Sequence, residues 1–93
     1  MAFGNYHPGV TLREELEVRG MSAAALSRQL GVPSWRLRRI IHGQQAITPD
    51  TALRLGRCFG NEAEFWMSLQ TQFALAELRR THGPRIEAEV ERG

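Results

Sequence analysis

Between positions 34 and 42 the chain reads SWRLRRIIH, and the polar side chains in this stretch are of the kind that grip nucleic acid. Arginine carries a planar fork of donors that matches phosphate oxygens and guanine edges, and Arg36, Arg38 and Arg39 stand here together. Set at 100° per residue, Leu37, Ile40 and Ile41 fall within about 100° of one another as one stripe to bury. The opposite side then carries Trp35, Arg38, Arg39 and His42, with Arg36 on the flank. A solvated helix back would accommodate arginines, but an outward tryptophan between them is not explained by folding.

No other residue set offers comparable chemistry. His7, His42 and His82 are isolated, and Cys58 has no partner nearby in sequence, so neither a metal set nor a nucleophile constellation can be built. Glu62 and Glu64 suit a helix N-terminus better than acid–base work. The expectation is a protein that is not an enzyme and needs no cofactor. The single cysteine excludes an intrachain disulfide and fits the cytoplasm. The opening MAFGNYHPG lacks the basic and apolar regions of a secretory leader, and no apolar run approaches the roughly 18 residues of a membrane span.

At 93 residues the chain fits one small domain, with a net charge of only +2. Its distribution matters more: positions 28–57 hold Arg28, Arg36, Arg38, Arg39, Arg54 and Arg57 against Asp50 alone. The basic centre lies between mildly acidic ends, which points to a polyanionic partner.

Dense helix punctuation implies an all-α fold of five helices, with a long last helix and a short tail. The first runs from Pro8 to Arg19, with Leu12 and Leu16 inward and Glu14, Glu15 and Glu17 outward. Ser22 caps a second, Ala23 to Leu30, which stops at Gly31. Pro33 starts a third that reaches His42, and Thr48 with Pro49 opens a fourth that ends near Phe59. Asn61 and Glu64 resemble a capping box at the head of the longest helix, which THGPR stops near Arg80. This divides the chain into a domain over 1–80 and a tail over 81–93. On the last helix Phe65, Trp66, Leu69, Phe73 and Ala76 form a stripe that closes the core. A second stripe, Ala63, Met67, Thr71, Ala74 and Leu78, has the spacing of helix-to-helix packing and suggests a homodimer seam. In the tail, Ile86, Ala88 and Val90 alternate with glutamates at the period of a strand.

The line LSRQLGVPSWRLRRI, residues 26–40, resembles the helix-turn-helix of the phage-repressor-like (XRE) family. Ser27 replaces the usual alanine, Gly31 occupies the turn, and Ala23 stands where many members carry a phosphate-anchoring glutamine. The resemblance implies that Ser34, Trp35 and Arg39 face base edges of double-stranded DNA, with Arg36, Arg38 and His42 nearer the backbone. HPGVTLREEL and ITPDTALRLGRCFGNEAEFWMSLQTQFAL are similar, more narrowly, to HigA-type antitoxins. That likeness implies a dimer on a near-palindromic operator that represses its own operon and neutralises a RelE-like (HigB-type) messenger-RNA endonuclease. The alternative is a stand-alone regulator of the same repressor-like class without a toxin. Against a basic toxin the acidic candidates are Glu14, Glu15 and Glu17, and a tail that could add a strand through Ile86 and Val90.

Overall fold

The structure is a computed structural model that describes residues 6–93; MAFGN, part of the segment read as carrying no leader, lies outside the described residues. Five helices follow one another: α1 Pro8–Arg19, α2 Ala23–Leu30, α3 Ser34–Ile41, α4 Pro49–Phe59 and α5 Ala63–Glu89. This is the expected all-α repressor-like architecture, with no strand among the described residues. The starts obey local chemistry. Ser22 Oγ accepts the Ala25 N–H at 3.0 Å, and Thr48 Oγ1 accepts that of Thr51 at 3.3 Å. Each side chain thereby satisfies one of the donors that a helix start leaves open.

All five helices feed one core. Leu12 and Leu16 of α1 meet Leu26 and Leu30 of α2, Leu37 and Ile40 of α3, Leu55 of α4 and Trp66 of α5, with Val32 and Ile47 filling in from the loops. The first turn of α1 lies directly on the end of α3. A Cβ built at Gly9 would stand 2.0 Å from the Ile40 carbonyl oxygen, so no side chain fits there. Gly56 gives the same close approach between α4 and the start of α5, where a Cβ would come within 2.7 Å of the Asn61 carbonyl.

Helix α5 departs from expectation in three ways. It does not stop near Arg80; it continues through Gly83 and Pro84 to Glu89, a span of 27 residues. Proline there removes one backbone donor, yet Arg85 pairs with Glu89 at 3.3 Å, and alanine and glutamate are strong helix formers. The same residues that alternate at period two therefore read equally well as helix, and Ile86 lies within it rather than in a strand. Second, Asn61 and Glu64 do not form a capping box. Glu62 holds the cap position without a side-chain bond, and Asn61 Oδ1 instead accepts the buried Trp66 indole N–H at 3.0 Å. Third, Phe65 is exposed and stacks edge-on against Trp66 at 5.2 Å, while Ala63 and Met67, assigned to the second stripe, pack on the core. The molecule measures 48 × 26 × 21 Å, and the end of α5 accounts for much of the long axis.

His7, isolated in sequence, is a joint in the fold. Its Nδ1 accepts the Gly9 N–H at 2.9 Å, and its ring meets that of Phe73 on α5 edge-on at 5.0 Å. Burial lowers its pKa below the ordinary 6.5, an effect partly opposed by the Gln45 backbone carbonyl. The folded state thus favours the neutral ring, since protonation would remove the acceptor that caps α1. Stability is fully present above about pH 6.5, the unfolded value, and is lost as pH falls from there through the lowered folded value. Thermal melts at about pH 7.5 and about pH 5.5, at equal ionic strength, should show a larger drop between the two for the wild type than for His7→Asn, which keeps an N-cap without the titration. Equal drops would remove His7 from the acid response.

Candidate nucleic-acid interface

The site is built from α2, the turn over residues 31–33, and α3. Helix α2 ends on Gly31 in the left-handed region, φ 70° and ψ 32°, where glycine alone is free of strain. The Ser27 carbonyl accepts two turn amides, Gly31 at 3.0 Å and Val32 at 3.2 Å. The Ser27 hydroxyl donates to the Val32 carbonyl across the turn. An alanine there could not do so; the serine spans the turn rather than bonding back within its own helix. From the far side Arg54 of α4 donates through Nη1 to the Leu30 carbonyl at 2.8 Å, while its Nε pairs with Asp50 one turn earlier.

Two residues later α3 begins, with the Pro33 carbonyl accepting from Arg36 and Leu37 at 3.1 and 3.2 Å. Leu37 and Ile40 are fully buried, and Ile41 packs against the same cluster. Trp35 is 57% exposed, and Arg38, Arg39 and His42 are exposed with it. Ser34 and Arg36 are half-buried at the edge. Arg36 places its guanidinium 5.8 Å from the Trp35 ring centre, within reach of a cation–π contact. Arg39 Nε donates to Gln45 Oε1 at 3.3 Å. Among the described residues no carboxylate pairs with Arg36, Arg38 or Arg39, so their charge is directed outward. Trp35, Arg38, Arg39 and His42 thus share the solvent-facing side of a helix whose other side is core, with Ser34 and Arg36 at its two edges.

The loop leaving α3 is fastened as well. Gln44 N–H bonds back to the Arg39 carbonyl at 2.7 Å, and Gln70 of α5 accepts the Ile47 N–H at 2.8 Å. Ser27 stood out in the sequence as the small residue of the motif, though not for its bond to Val32, whereas sequence reasoning missed Gln70 and Arg54 as supports. Of those two, only Arg54 left a readable trace, its spacing of four from Asp50, which marks an ion pair on one helix face.

The remaining candidates lie elsewhere. Glu14 and Glu17 are exposed on α1 next to Val18, which is 84% exposed, whereas Glu15 is half-buried and pairs with Arg19 at 3.5 Å. Thr71, Ala74 and Leu78 are exposed on α5, and Leu75 and Ile86 extend their stripe. Val90, the C-cap of α5, is exposed at its end. Cys58 packs partly against the core, its thiol donating to Gln29 at 3.2 Å. No group of three metal-ligating side chains exists among the described residues, and no helix there is long and apolar enough to cross a membrane.

Residues 12–66 match the family described as helix-turn-helix. Across 95% of the chain the fold superposes, at TM-score 0.90 and 40% identity, on 97% of an addiction module antidote protein of a HigA family from Coxiella burnetii. The Pseudomonas aeruginosa antitoxin HigA, solved with the higBA promoter, is 42% identical, covers 92% of this chain and 95% of its own, and gives a TM-score of 0.88. A virulence-associated protein I of Dichelobacter nodosus is 49% identical over 70 residues, 74% of this chain and 65% of that protein, just under two thirds of its length.

Proposed function

Because the chain belongs to the helix-turn-helix family and, within it, to the HigA-type antitoxins, we propose that it is a homodimeric operator-binding repressor that neutralises a HigB-type endonuclease. The observation that carries the DNA reading is the outward row of Trp35, Arg38 and Arg39 on a helix whose inner side is fully buried. A relative solved with its promoter supports the same reading. Seated in a major groove, the start of α3 turns Ser34, Trp35 and Arg39 toward base edges and leaves Arg36, Arg38 and His42 for phosphates. An arginine fork on guanine contributes about 1 to 3 kcal/mol of discrimination. Arg39→Ala should therefore lower affinity for the DNA upstream of its own gene and narrow the gap between that DNA and a scrambled duplex; gel-shift affinities unchanged on both would remove Arg39 from base reading.

The dimer reading rests on the face of α5 turned away from the core. Thr71, Leu75, Leu78 and Ile86 fall within roughly 80° on a helical wheel and continue beyond the part of the helix that packs on the domain. Leu75, Leu78 and Ile86 are 44%, 47% and 41% exposed, and together with Gly83 they line a shallow groove of about 220 Å³. A second α5 laid there would tether two α3 helices for two half-sites, about one DNA turn or roughly 34 Å apart, on a near-palindromic operator. Leu75→Glu with Leu78→Glu should give a folded monomer in sedimentation with weaker operator binding. Met67 is left alone because it belongs to the core. A double variant that keeps the dimer mass would place the interface elsewhere.

For the toxin, the acidic outer side of α1 is the better supported surface, because Val18 stands there as an exposed apolar anchor beside Glu17 and one turn after Glu14. The tail loses its strand rationale once Ile86 is helical. Co-expression with the product of the adjacent gene should yield a complex that Val18→Glu or Glu14→Lys with Glu17→Lys weakens, while deletion of 85–93 leaves it intact. Loss of the complex only on deletion would reverse that ranking. Absence of any complex would favour the second reading, a regulator without a toxin.

A further inference from the structure

We infer that Arg54 is a positioning residue for operator recognition: from α4 it holds the end of α2 and thereby sets the direction in which α3 presents its side chains. The inference rests on the proposal that α3 reads DNA. Helix ends leave their last carbonyls without partners, and three carbonyls around this bend have found one. Ser27 accepts the turn amides, Val32 accepts the Ser27 hydroxyl, and Leu30, the last residue of α2, accepts Arg54 Nη1 at 2.8 Å across 24 positions of sequence. The first two bonds join α2 to its own turn. Only the third reaches the turn from a separate element.

That bond ties α4 to the end of α2 at a fixed angle, whereas much of the contact between α2 and α3 is apolar. Leu26, Leu30, Val32, Leu37 and Ile40 hold α2 against α3 by apolar packing, which tolerates a change of angle better than a hydrogen bond does. The guanidinium is fixed at two points, since Asp50 grips Nε while Nη1 points at Leu30. Gly31 leaves room for it, because a Cβ there would stand 3.1 Å from Nη1. Only Gly31, Val32 and Pro33 separate this anchor from the first residue of α3, so a shift at Leu30 passes directly into that helix. The arginine side chain is 45% exposed and its carboxylate partner 66%, so the pair adds little to stability and its main effect is geometric.

The test uses the full chain, a duplex from the region upstream of its own gene, and a scrambled duplex of equal length, each titrated over a salt series. Arg54→Met, which keeps an apolar stem over Leu30, should lose operator affinity by about tenfold, the scale of one misplaced base contact, with scrambled-duplex affinity and salt slope unchanged. Arg54→Lys, able to donate to the Leu30 carbonyl, should recover most of the loss, with melting temperatures close to wild type. Asp50→Asn, which frees one side of the guanidinium, should show a smaller loss of the same pattern and serves in place of Arg54→Met if that variant does not fold. Loss on both duplexes with a salt slope smaller by about one would make Arg54 a direct phosphate contact and overturn the inference. So would wild-type operator affinity in both variants. A wild-type chain that fails to prefer its operator would overturn the DNA reading itself, a result distinct from either.

Discussion

Helix α3 is eight residues long, and a helix of that length does not hold itself together in water. Its proline start brings no capping side chain, and its last turn carries Arg38 and Arg39, which suit the negative end of the helix dipole but cannot by themselves stabilise the helix. Its existence and direction therefore come from outside. Leu37 and Ile40 are drawn into the core, the turn before it is fastened through the Ser27, Leu30 and Val32 carbonyls, and the loop after it is tied to His7 and α5. The consequence is a division of labour along one short helix, in which the inner residues stabilise the fold and the outer residues are left free to contact a partner.

The supports come from every other helix. Gly9 of α1 lets the backbone of that helix rest on the Ile40 carbonyl, and His7 reaches the loop at Gln45. Ser27 of α2 spans the turn, Arg54 of α4 holds its far side, and Gln70 of α5 fastens Ile47. Each is a hydrogen bond or a close backbone approach rather than a larger apolar contact. That choice fits a reading surface: apolar burial supplies cohesion in proportion to area, whereas directional bonds hold an angle.

Much of this was legible in the sequence because the signals are local. Ser22, Gly31, Thr48, Pro49 and Gly60 mark helix ends through their own backbone and side-chain chemistry, and the bounds of α1, α2 and α4 follow from them. The outward face of α3 follows from the spacing of Leu37 and Ile40. The supports were not legible, because Arg54 and Leu30 or Gln70 and Ile47 lie more than twenty positions apart and meet only once the helices have packed. The end of α5 was misread for a different reason. Gly83 and Pro84 are a strong stop signal, but the glutamate and alanine that follow favour helix and Arg85 pairs with Glu89, so the helix resumes its register beyond the proline. Asn61 failed as a cap because the indole of Trp66, once buried, needed an acceptor, and leaving that donor unpaired would cost more than a surface cap gains.

Helix α5 consequently has two halves with different physical obligations. Up to Phe73 it is held by the domain: Trp66 fills the core, Gln70 binds the loop, and Phe73 packs on His7. Beyond that point it projects with Leu75, Leu78 and Ile86 exposed and only intrahelical ion pairs to support it. Such pairs contribute a few tenths of a kcal/mol each, too little to hold a solitary arm that also contains a glycine and a proline. An apolar partner along this face would supply what the arm lacks. Because Gln70 bonds the loop that follows α3 and Phe73 packs on His7, which reaches that loop at Gln45, anything packed on the arm would be mechanically continuous with α3.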